Sequence, residues 1–113
     1  MTEVEFRALA LSFPETVAAT SHGQSSYKSF GKFLTRLRSE DDSIVLGEVD
    51  FDERELLCKE EPATFHFTDH YRGYRYVLAR LGPMDEARAR AYLTRQWRKS
   101  APKRWLKAWD AER

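Results

Sequence analysis

Between Ser25 and Val49 apolar and polar residues alternate with a period of two, interrupted by turn signals. Ser25–Phe30 alternates and ends at Gly31-Lys32. Phe33–Arg38 sets Phe33, Thr35 and Leu37 on one face and Leu34, Arg36 and Arg38 on the other. Ser39–Ser43 is a polar, acidic turn, and Ile44–Val49 is rich in β-branched and apolar residues. Such spacing predicts three short strands, and the brief connections predict antiparallel neighbours.

On either side the period changes to that of a helix. Phe6, Leu9, Ala10 and Phe13 form one stripe behind Thr2 and Glu5, which have the spacing of a capping box, and Pro14 closes the segment. Small polar residues and Gly23 predict a connection over Glu15–Gln24. After the meander, Asp50 or Asp52 can cap a second helix over Glu53–Glu60, with Leu56 and Leu57 inward, Cys58 at the edge and Pro62 as its stop. Ala63–Thr68 reads as an extended segment with Phe65 and Phe67 on one face. Asp69–Tyr74 reads as a polar, aromatic loop feeding a strand over Tyr74–Leu81, which Gly82-Pro83 ends. The longest predicted helix, Glu86–Lys99, turns Ala89, Leu93 and Trp97 inward, flanked by Tyr92. Ser100-Ala101-Pro102 suits a break and a restart, since proline is tolerated in a first helical turn.

The predicted order is helix, three strands, helix, one or two strands, helix and a short helical tail. Helices segregated from a mainly antiparallel sheet make an α+β sandwich. At 113 residues the chain forms one domain, 1–113, with a basic, tryptophan-rich helical tail from about 101. With 42% hydrophobic and 33% charged residues the composition is that of a folded domain. No run is long enough to cross a bilayer and no signal sequence opens the chain, so a cytoplasmic location without membrane association is expected.

Charge adds what composition hides. Glu40–Glu61 holds ten acids against Arg54 and Lys59, a net of −8. Tyr27–Arg38 carries Lys28, Lys32, Arg36 and Arg38 without an acid, and the segment from Glu86 onward holds nine bases against three acids, a net of +6. A nearly neutral chain can therefore carry a basic patch.

Metal and nucleophile chemistry find little support. His66 and His70 are four apart but straddle an expected strand–loop boundary, and zinc requires three or four convergent ligands. Cys58 sits in an acidic helix, which disfavours a thiolate. Gly31-Lys32 is too short for a phosphate loop. No metal, cofactor or catalytic residue is therefore assigned. His22 and His70 each stand in a loop near a glycine, where binding groups concentrate, and together with Tyr74 they define a possible ligand pocket. The basic and aromatic residues form a second candidate set. Lys28, Lys32, Arg36 and Arg38 lie on adjoining strands or their connecting turn, and Arg72 and Arg75 flank Tyr74, with Tyr71 and Tyr76 nearby. Projecting from one sheet edge, they would set cations against phosphate and rings against sugar or base. The bland alternatives are half-buried tyrosines beside solubilising arginines, and tail tryptophans that cover one end of the core.

Several short motifs in a fixed order carry a resemblance: Phe13-Pro14-Glu15, His22-Gly23, Phe30-Gly31-Lys32-Phe33, Asp52-Glu53-Arg54, Pro62 with Phe65, His70-Tyr71-Arg72-Gly73-Tyr74 running into Val77-Leu78, and Ala101-Pro102-Lys103. Taken together, the chain resembles the MmcQ/YjbR family of small bacterial proteins over nearly its whole length. That resemblance implies a frataxin/CyaY-like two-layer sandwich, an antiparallel sheet with helices packed on one face, and a DNA-binding role. His70, Tyr71, Arg72, Gly73 and Lys32 match the family's loop and turn, whereas Gly47 and Glu48 depart from it. The expectation is a monomer that binds DNA weakly or non-specifically through Lys28, Lys32, Arg36, Arg72 and Arg75, positioned by Tyr71 and Tyr74. The rivals are an adaptor whose acidic helix and aromatic tail contact another protein, and a small-ligand protein or enzyme using His22 and His70.

Overall fold

The computed structural model describes residues 1–21 and 23–112. Six antiparallel strands form one open sheet in the order β1-β2-β3-β4-β6-β5. The strands are β1 (Thr16–Ser21), β2 (Gln24–Ser29), β3 (Lys32–Arg38), β4 (Ser43–Leu46), β5 (Phe65–His66) and β6 (Val77–Arg80). The helices are α1 (Glu3–Leu11), α2 (Phe51–Glu60), α3 (Glu86–Ser100) and α4 (Lys103–Ala111), with a single 3₁₀ turn at Asp69–Tyr71. This is an α+β fold.

The helix starts follow from their caps. Thr2 and Glu5 form the expected reciprocal capping box on α1, and Asp50 accepts from the Glu53 amide to open α2. Phe6, Leu9 and Ala10 of α1, and Ala89, Leu93 and Trp97 of α3, are buried together with Leu34, Ile44, Leu46, Val77 and Ala79 of the sheet. Trp97 is fully enclosed and donates its indole N–H to the Pro14 carbonyl at 2.9 Å. The tail docks on this core through rings. Trp109 lies 4.6 Å from Trp97 and stacks on Phe13 at 5.9 Å, while Trp105 meets Phe30 at 5.7 Å. Phe30 and Gly31 both have positive φ, 55° and 75°, the backbone of the tight hairpin turn between β2 and β3.

Four local expectations need correction. Glu15–Gln24 is not a bare connection: Thr16–Ser21 is an edge strand paired residue for residue with β2. Strict alternation in β3 fails because Leu34 is an extra residue in a bulge, with Lys28 opposite Phe33 and Tyr27 opposite Thr35. As a result Leu34 and Leu37 both join the helix-side core, whereas Phe33 packs with the opposite face beside Val45, Tyr76 and Leu78. The strand expected over Tyr74–Leu81 starts only at Val77. In α2, Leu56 is 58% exposed while Arg54 is buried, because the inward face is the Arg54–Leu57 line.

Candidate functional site

The loop between β5 and β6 carries most of the candidate residues, and Arg54 holds it. Nη1 of Arg54 donates to the carbonyls of Tyr71 (3.0 Å), Tyr74 (2.9 Å) and Tyr76 (3.3 Å), and Nη2 donates to that of Arg72 (2.9 Å). Its guanidinium lies 4.0 Å from the Phe67 ring centre and 5.0 Å from that of Phe51. A buried cation is costly unless it is hydrogen-bonded, and here carbonyl dipoles and ring faces take the place of a carboxylate. Tyr71, Arg72, Tyr74 and Tyr76 turn their carbonyls to this side chain, and Arg75 gives its own to the Val49 amide, so regular pairing of β6 with β4 begins only at Val77.

Three clefts surround the clamped loop. The first, about 480 Å³, opens on the sheet face away from the helices, where Phe33, Arg36, Arg38, His70, Tyr71 and Tyr76 line it. The second, about 310 Å³, is bordered by Glu48, Tyr74, Arg75, Tyr76 and Lys99. Tyr76 is common to both and stands between them. The third, about 440 Å³, lies between Phe51, Cys58, Phe67 and Arg72 beside α2.

Cations in these clefts differ sharply in how they are compensated. Arg38 bonds Asp41 through Nε and Nη2, each at 3.3 Å, and lies 3.6 Å from Glu40. Burial works against its charge, but Asp41, Tyr71 and Glu40 outweigh it and hold its pKa above the ordinary value. Arg72 is tied to Asp69 at 2.7 Å, and Lys99 to Glu48 at 2.8 Å. Arg36 is half-buried, and among the described residues its hydrogen-bond acceptor is the Tyr71 hydroxyl. Lys28 is exposed on the same face, since Lys28 pairs with Phe33 and Ser26 with Arg36.

The rings form a connected row. Phe33 and Tyr76 meet edge-on at 5.8 Å, as do Tyr71 and Tyr76 at 5.8 Å, and His70 stands edge-on to Tyr71 at 4.8 Å. Burial raises the Tyr76 hydroxyl pKa, so this ring is neutral at physiological pH. Tyr74, 59% exposed, tilts against Tyr76 at 6.4 Å. No family model, curated protein or solved structure matches the chain.

The residues singled out in the sequence are thus divided among several places. Arg36, Tyr71 and His70 share the first cleft, with Lys28 on the same sheet face. Tyr74 and Arg75 border the second, and Arg72 the third. Lys32 is exposed at the start of β3, beside the turn that packs on Trp105. Tyr71 is buried, and its hydroxyl accepts from Arg36, so it presents no open ring. His70 and Tyr74 line different clefts, and His22 lies outside the described residues. Among the described residues no group of three or more His, Cys, Asp and Glu side chains is placed to hold a metal ion. No described helix is long and apolar enough to cross a membrane. Burial pushes the Cys58 thiol pKa up, against the opposing charge of Arg54.

Sequence reasoning named Tyr76 beside the candidate loop but passed over Arg54 and Phe33. For Arg54 the available signal was its spacing of three from Leu57 on the inward line of α2. For Phe33 nothing in a two-residue alternation announces a bulge.

Proposed function

We propose that this protein binds nucleic acid without sequence specificity across the helix-free face of its sheet, as the MmcQ/YjbR resemblance and its frataxin/CyaY-like sandwich imply. The observation that carries the reading is Arg36: a half-buried guanidinium in an aromatic cleft, bonded to a tyrosine hydroxyl with no carboxylate within ion-pair reach among the described residues. Such a group has donors to spare for a phosphate. Lys28 takes a second phosphate on the same face, and Lys32 and Arg75 extend the positive track at its two ends. Tyr71 positions Arg36, and Tyr74 supplies an exposed ring. Arg72 contributes little, because Asp69 already neutralises it.

The test is a fluorescence-anisotropy titration of a labelled DNA at low and near-physiological salt, with wild type and a Lys28→Ala/Arg36→Gln variant. Binding should fall steeply with salt. The variant should bind more weakly, and its log–log salt slope should be shallower by about 1 for each phosphate that no longer meets a cation. Absence of binding at low salt, or a folded variant that binds like wild type, would refute the assignment.

A further inference from the structure

Resting on that reading, we infer that the preferred ligand is single-stranded, with unpaired bases held against Phe33, Tyr76 and Tyr74 along the two adjoining clefts. Three observations favour it over a duplex. First, one cation without a carboxylate partner among the described residues sits inside the cleft: Arg36 is half-buried among Phe33, Tyr71 and Tyr76, where a phosphate reaches it only if the adjoining nucleotide enters too. A duplex keeps its base faces stacked inside and offers phosphates along a broad, rigid surface, so it would leave these rings unused.

Second, the rims of both clefts carry acids. Glu40 and Asp41 flank the first through Arg38, and Glu48 borders the second through Lys99. These carboxylates oppose the high charge density of a duplex laid across the face. A single strand meets few phosphates at a time and threads between them. Third, the rings run on from one cleft to the next. Tyr76 belongs to both, Phe33 lies on one side of it and Tyr74 on the other, with Arg36 and Arg75 at the two ends. A chain of alternating base and phosphate matches a row of rings flanked by cations. Base–aromatic stacking supplies affinity that so few free cations do not, and it tolerates any sequence because every base has a π face.

The experiment compares labelled oligothymidine, oligouridine and a DNA duplex of equal length at low salt, using wild type, Tyr76→Ala, Tyr76→Phe and Tyr74→Ala, each checked by circular dichroism and thermal melting. Either single strand should bind at least about tenfold more tightly than the duplex, and Tyr74→Ala, at an exposed position, should weaken single-strand binding about tenfold with its melting temperature unchanged. Tyr76→Phe should bind like wild type, and Tyr76→Ala, where folded, should lose at least as much as Tyr74→Ala. The two single strands separate DNA from RNA as the source of the same stacked-base chemistry. Duplex binding equal to or tighter than both single strands overturns this inference and leaves the nucleic-acid reading intact, as does single-strand binding indifferent to Tyr74 and Tyr76. Binding of none of the three overturns both.

Discussion

Replacing Arg54 by methionine keeps most of the side chain's volume against Phe51 and Phe67 and removes the charge with its four bonds to the loop carbonyls. Hydrogen bonds from a charged donor contribute about 1.5–3 kcal/mol each in mutational series, which sets a gross loss of roughly 6 kcal/mol or more. Two effects offset it. The buried guanidinium no longer incurs a desolvation penalty of several kcal/mol, and the carbonyls nearest the surface regain water. Stacking of the cation between two rings adds about 1 kcal/mol to the loss. The net expectation is a destabilisation of about 3 kcal/mol, similar to breaking a buried charge network by removing one member. For a chain of this size that lowers the melting temperature by about 12 °C, at roughly 4 °C per kcal/mol. Thermal melting followed by circular dichroism reads this directly, and amide exchange at residues 71–76 should accelerate before the rest of the sheet responds. Arg54→Lys should recover only part of the loss, because one ammonium cannot reproduce the planar fork that reaches four acceptors. A melting temperature for Arg54→Met within about 3 °C of wild type would show that the carbonyls need no cation and that the clamp is incidental.

Two further predictions probe the surroundings of the clefts. A Cβ on Gly47 would press on Gln96 Oε1 and lie 2.9 Å from Tyr76 Cε1, so Gly47→Ala should cost about 1–3 kcal/mol by urea denaturation and disturb the Gln96 bond to the Phe33 carbonyl, whereas Gly82→Ala, facing open space, should cost less than about 0.5 kcal/mol. Burial, with the Arg80 and Arg38 charges, lowers the His66 pKa from its ordinary 6.5 against the opposing pull of Asp41. The unfolded chain therefore takes up this proton first, so the His66 contribution is retained above about pH 6.5 and lost as pH falls through the folded pKa. Denaturation midpoints of wild type and His66→Gln should diverge below pH 6.5 in favour of the variant. Parallel pH profiles would refute it.

Most of the fold was legible because most of it follows local rules. The capping box at Thr2 and Glu5, the Phe6–Leu9–Ala10 stripe, the Gly31 turn and the Ala89–Leu93–Trp97 face are each written within a few residues of chain. What escaped depends on partners distant in sequence. Thr16–Ser21 holds no large inward apolar residue, and only its pairing with β2 makes it a strand. Arg54 carries the ordinary signature of a solvated helix face in an acidic segment. Its burial is decided by acceptors 17 to 22 residues further on, which no periodicity in α2 reveals. The site suffered the same way: loop residues adjacent in sequence, Tyr71, Arg72 and Tyr74, point to three different clefts, because the turn that Arg54 imposes splays them apart.

If the clefts bind nucleic acid as proposed, that splaying ties stability to binding. The Tyr71 hydroxyl accepts from Arg36, Tyr76 lines both clefts and Tyr74 the second, and the backbone carbonyls of all three accept from the same guanidinium. A cleft whose walls are fixed in this way is organised before its ligand arrives, so little ordering entropy opposes binding. The coupling runs in one direction in a variant series. Arg54→Met should weaken nucleic-acid binding although Arg54 touches no phosphate, and it should do so chiefly through faster dissociation, since the steering charges Lys28, Lys32 and Arg36 remain. Substituting those three cations should instead slow association and leave the melting temperature near wild type. A loss of affinity in Arg54→Met carried wholly by the association rate would separate the clamp from the site and leave it a matter of folding alone.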